Sequence, residues 1–125
     1  MTGIVLTPHP GTMESWRIVD LREPLYLSVK DEIGGYMEIV HPRGLPEPYV
    51  LLVDEEGLLK DLEVNGLASA WYGDLICGPA IIMQVGMTDE GPDILGLEPS
   101  QVAECTTFLR SLSAAGIREE AVTHG

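Results

Sequence analysis

The sequence predicts an α+β fold: a mixed, largely antiparallel sheet of about five strands with helices packed on one face. Short β-rich runs bounded by Gly and Pro recur along the chain, and two of them lie close enough to form a hairpin. Between them are stretches whose apolar residues fall at helical spacing. At 125 residues with 45% apolar content, the chain can bury about two-thirds of its unfolded surface around one core without a staple.

The first strand is the apolar run Gly3 to Thr7, closed by Pro8-His9-Pro10-Gly11, where ring stiffness and glycine freedom favour a turn. Trp16 to Leu21 alternates well enough for a second strand. Pro24 suits the first helical position, and Leu25, Val29 and Ile33 follow at spacing four; Gly34-Gly35 then stops the helix. Tyr36 to Val40 and Tyr49 to Val53 are both β-rich and form the hairpin, joined by a loop from His41 to Pro48 that holds three prolines. Asp54-Glu55-Glu56-Gly57 is the turn that leaves it. Asn65 is the expected cap of a short helix, Gly66 to Tyr72, in which Ala68 and Ala70 permit close packing. Leu75 to Val85 is a strand broken at Gly78-Pro79. The last helix opens at Leu97-Glu98-Pro99-Ser100 and turns Val102, Cys105, Leu109 and Leu112 to one face, beside Phe108. Gly116 is its expected end. Residues 1–116 are thus one α+β domain, and 117–125 a polar tail.

Composition excludes several functions. With seven Lys and Arg against twenty Asp and Glu, the net charge is −13. Duplex nucleic acid is an unsuitable direct partner, because neutralising phosphates takes basic side chains. The longest apolar runs are strand-sized, short of the roughly 20 residues that cross a bilayer. The N-terminus has neither a basic region nor a long apolar one, so no signal peptide is expected and the cytoplasm is the expected location. Cys77 and Cys105 stand apart in apolar surroundings and read as free, structural thiols.

Four segments carry a family resemblance: Gly34-Gly35-Tyr36-Met37-Glu38, Val53-Asp54-Glu55-Glu56-Gly57, Asn65-Gly66-Leu67-Ala68-Ser69 and Ile76-Cys77-Gly78-Pro79-Ala80. Together they make a pattern over Gly3 to Val85 that resembles the DUF3846 family, small proteins of phages and mobile elements with no assigned function. The resemblance implies a mobile-element accessory role and supplies no catalytic residue.

The residues themselves show no catalytic motif. Ser69 lies in Leu67-Ala68-Ser69-Ala70-Trp71 rather than in a Gly-x-Ser-x-Gly elbow, and the phosphate-cradling glycine motifs are absent. His9, His41 and His124 share no spacing that a metal would require, so no metal and no cofactor is expected. What remains is a recognition surface. Tyr36, Trp71 and Tyr72 offer rings for stacking, Arg43 a planar cation in a stiff loop, and Asn65 an amide that donates and accepts; Glu38 and His41 lie beside them. The simpler reading is that these aromatic residues fill the core.

The function expected from these features is non-enzymatic: sequestration of a nucleotide-derived immune signal of the host, in a site made from 36–43 and 65–72. The alternative is an acidic protein–protein inhibitor, a nucleic-acid mimic seated on a basic groove of a host defence enzyme. A weaker alternative is a small phosphodiesterase or nuclease using His41 and Glu38 as acid and base. Self-association as a symmetric homo-oligomer is a further expectation.

Overall fold

The two most apolar runs of the chain lie side by side at the centre of a single sheet. In the computed structural model, which describes residues 1–8, 16–42 and 48–124 with side chains as far as Leu112, these runs fall in β4 (Tyr49–Asp54) and β5 (Ala80–Thr88). Around them the order is β1 (Thr2–Leu6), β2 (Trp16–Asp20), α1 (Leu25–Ile33), β3 (Met37–Val40), β4, α2 (Gly66–Tyr72), β5, β6 (Gly91–Leu95) and α3 (Pro99–His124).

The sheet runs β2-β1-β5-β4-β3, and every pairing is antiparallel. β5 outlasts its neighbours. Gln84 pairs with Tyr49 on one flank and with Leu95 on the other, so β6 takes the side of β5 that β1 leaves after Ile82. The sheet is therefore six-stranded, one more than expected.

Because β4 and the first half of β5 are buried at every position, both faces of the sheet must be covered. Ile4, Leu6, Leu51, Val53, Ala80 and Ile82 pack against Leu67, Ala68 and Trp71 of α2 and Cys105 and Leu109 of α3. Val5, Val50, Leu52, Ile81 and Met83 pack on the opposite face against Val29 and Ile33 of α1, with Leu21 and Ile94. The helices thus divide between two faces, where the sequence suggested one. α3 also continues past Gly116 to His124, and β5 begins at Ala80 rather than at Leu75.

The local signals explain most boundaries. Gly34 ends α1 in the left-handed conformation, φ 79°, with its N–H donating to the Lys30 carbonyl. Pro24 sits one place outside α1, and Ser28 Oγ binds both the N–H and the carbonyl of Arg22, fixing how the chain enters the helix.

Candidate functional site

A cavity of about 320 Å³ opens between β3, the end of β4 and the segment that follows α2. Residues two apart on a strand share a face, and the register sets Glu38 opposite Val53 and Val40 opposite Leu51. Glu38, Val40 and Val53 therefore line the cavity on the α2 and α3 side of the sheet. Tyr72, Leu75, Ile76 and Cys77 form the facing wall, and the turn with Leu58 and Leu59 forms the rim.

That turn is held by Asp54. Its Oδ1 accepts from the Glu56 N–H at 2.9 Å and its Oδ2 from Lys60 Nζ at 2.7 Å, while its carbonyl accepts from the Gly57 N–H. Burial alone would raise the carboxyl, but the Lys60 ammonium and the Glu56 N–H outweigh it and hold Asp54 below its ordinary value. Two glycines let the turn close: a Cβ at Gly57 would stand 2.5 Å from the Cys77 carbonyl oxygen, and one at Gly35 would meet the Asp54–Lys60 pair at 2.6 to 2.8 Å. The opposite wall is clipped as well. Val64 bridges to Cys77, the Asn65 N–H donates to the Ile76 carbonyl, and Ser69 Oγ accepts from the Ile76 N–H at 2.9 Å.

The charge of the cavity is one-sided. Glu38, Asp54 and Glu55 line it, and no Lys, Arg or His does among the described residues. Lys60 neutralises Asp54, whereas Glu38 and Glu55 take part in no ion pair among the described residues. Around these carboxylates the surface is apolar and wet: Leu58, Leu59 and Leu75 are exposed, Leu59 at 86%. An arrangement of this kind suits an apolar stem that ends in a cation.

A family model, described as a domain of unknown function (DUF3846), matches residues 1–110. The chain belongs to the DUF3846 family. The DUF3846 match extends beyond the Gly3 to Val85 likeness read from the sequence, through β6 and into α3 as far as Arg110. No curated protein and no solved structure matches the chain.

The residues singled out from the sequence of this DUF3846 protein separate into three groups. Glu38 of β3 and Tyr72 of α2 line the same cavity. Trp71 and Asn65 do not. Trp71 is 0% exposed, with Tyr49 and Phe108 edge-on to it at 6.3 and 4.8 Å between ring centroids, and a base cannot reach its faces. Asn65 is 1% exposed and fully used: Oδ1 accepts from the Ala68 N–H as the cap of α2, and Nδ2 donates to the Leu6 and Gly78 carbonyls at 2.9 Å each. Both are corrections to the candidate ligand set, for one reason. α3 and β1 close over α2 and leave neither residue a free surface. Tyr36 stands outside the cavity, 70% exposed, with Lys30 Nζ 4.9 Å from its ring centroid. Arg43 lies outside the described residues, as does His9.

Glu38 and His41 do not meet as an acid–base pair. Glu38 faces the large cavity, whereas His41 lines a separate one of about 140 Å³ with Tyr49 and Val85. Among the described residues no three His, Cys, Asp or Glu gather as a metal site, and no helix is long and apolar enough to cross a membrane. Burial pushes the Cys105 thiol up to about 11, the Tyr49 hydroxyl opposing this and Glu104 adding to it, so it is a poor nucleophile. Asp54, Glu55, Leu58, Leu59 and Leu75 line the site without having been picked out from the sequence. The available signal was the pair Leu58-Leu59, which follows three acids and Gly57, two large apolar residues where a turn would ordinarily be polar.

Proposed function

We propose that this DUF3846 protein is a non-enzymatic, acidic binding protein that seats on a basic surface of a protein partner, acting as a mobile-element accessory on a host defence enzyme in the cytoplasm of a bacterium. The cavity beside β3 carries the proposal: two carboxylates in no ion pair among the described residues, Glu38 and Glu55, framed by exposed leucines. Such a site attracts a lysine or arginine side chain and repels phosphate. The net charge of −13 speeds encounter with a basic partner at low salt.

A second reading, sequestration of a nucleotide-derived host signal, is favoured by one place only. The exposed Tyr36 ring with Lys30 beside it sets a stacking face next to a cation. Calorimetry separates the two. A short lysine-rich peptide is expected to bind, more weakly as salt rises, and a panel of cyclic and ADP-ribose-type nucleotides to give no heat. Nucleotide binding that is lost in Tyr36→Ala would replace the first reading with the second.

A further inference from the structure

The edge of the sheet beside the cavity carries unused backbone groups. Among the described residues β3 pairs with β4 alone, and its other side faces away from the sheet. The Tyr36 carbonyl accepts from the Glu55 N–H at 3.0 Å. The register places these two residues opposite each other, and bonded pairs alternate in an antiparallel ladder. Glu38 with Val53 and Val40 with Leu51 are then the bonded pairs. The N–H and C=O groups of Met37 and Ile39 consequently point to the open edge, and they make no bond outside the ladder among the described residues.

From this, and resting on the proposal that the cavity takes a cation on an apolar stem, we infer that β3 accepts an extended basic segment of a protein partner as an added strand. Its backbone pairs with Met37 and Ile39. One of its Lys or Arg side chains turns into the cavity, towards Glu38 and Glu55 and over Leu58 and Leu59.

Charge selects this occupant. A second copy of the chain, paired edge to edge, would bring its own Glu38 to the same seam and its whole net charge of −13 into proximity. Like charges close across a strand pair are destabilising. Short length and charge usually guard an edge against pairing; β3 is four residues long and carries Glu38. That guard works against acidic strands and self-pairing, and it attracts a basic strand. Alternation supplies the rest, because every second side chain of an added strand lies on the cavity side while its neighbours lie beside Ile39, which is 42% exposed on the other face.

The probe is an end-blocked heptapeptide of alternating valine and lysine, titrated into nitrogen-15-labelled full-length protein, beside two controls: the same peptide with glutamate for lysine, and one N-methylated along its pairing edge. The inference expects amide shifts and slowed hydrogen exchange at Met37 and Ile39, roughly tenfold weaker binding for Glu38→Gln with Glu55→Gln, and no binding of either control. Ile39→Pro removes an outward N–H and not a ladder bond, so it is expected to fold and to lose the peptide; should it fail to fold, the N-methylated peptide makes the same test. Equal binding of the N-methylated peptide, without shifts at Met37 and Ile39, overturns strand addition and leaves the cavity proposal standing. Absence of any lysine-peptide binding overturns both. Equal binding of the glutamate peptide overturns the role of charge, and a dimer abolished by Ile39→Pro would assign the edge to a second copy instead.

Discussion

Replacing Trp71 separates a structural ring from a recognition ring. The side chain is wholly buried and meets Tyr49 and Phe108 edge-on. Its Nε1 has no hydrogen-bond partner among the described residues. Trp71→Ala removes the buried ring and leaves a cavity, which costs about 3–5 kcal/mol; the two aromatic pairs, worth about 0.5–1.5 kcal/mol each beyond area, place the loss at the upper end. Against a total stability of about 5–15 kcal/mol this is a large fraction. Trp71→Phe behaves differently. It keeps most of the ring contact and removes a buried donor that costs about 1–3 kcal/mol when unsatisfied, so the two effects largely cancel. Denaturant melts of the three proteins should thus give a loss of about 5 kcal/mol for Ala and less than about 1.5 kcal/mol for Phe. A loss for Ala below about 0.5 kcal/mol would mean the ring is not in the core. A loss for Phe of about 2–3 kcal/mol would mean that Nε1 is bonded, and the argument from the orphaned donor would fall.

Asn65→Ala removes the α2 cap and strands the Leu6 and Gly78 carbonyls, for an expected loss of about 2–4 kcal/mol. Asn65→Asp restores the cap but cannot donate, so a melt of Asn65→Asp equal to that of the parent would contradict the assignment. Asp54→Asn should cost about 1–3 kcal/mol at pH 7. The folded carboxyl lies below its unfolded value near 3.8, so its contribution is present above that pH and lost as pH falls through the folded value. The gap between parent and variant, measured in denaturant at a series of pH values, should therefore hold from pH 7 to about 5 and narrow below about 4. A gap independent of pH would remove the ion from the account. With a thiol reagent at about pH 8, Cys77, which lines the cavity, should react before Cys105, which reacts only on unfolding. Simultaneous labelling in the folded protein would show that Cys105 is accessible.

Much of this fold was legible because its signals are local. The Asn65 cap, the Leu25, Val29 and Ile33 stripe with Gly34 after it, and the hairpin from Tyr36 to Val53 each follow from neighbours within a few residues. β6 escaped because Gly91, Pro92 and Asp93 are loop residues by type; they form a strand only where the second half of β5 offers an edge, and an edge tolerates Pro92 opposite Met87. The two-sided sheet had a signal that was passed over. Tyr49 to Val53 and Ala80 to Met83 do not alternate, and an unbroken apolar run at strand length marks burial on both faces. The candidate site was legible in part: Glu38 and Tyr72 meet in the cavity. Trp71 resisted for a physical reason. The same side chain serves a core or a surface, and the outcome depended on Phe108 of α3 and Tyr49 of β4 arriving from distant parts of the chain.

The sharing of β4 and β5 between two cores has a consequence for how the molecule opens. α1 can lift from one face and leave the other sealed, and α3 can detach from its face and leave α1 seated, but neither event exposes the ladder between Tyr49–Val53 and Ala80–Gln84 to water from both sides. Those amides exchange only when the whole domain unfolds. They report the global stability, while the edge strands β2, β3 and β6, each with one strand neighbour among the described residues, report local openings. The strand proposed to recruit a partner is thus among those whose backbone is released locally, and the pair at the centre keeps that release from spreading.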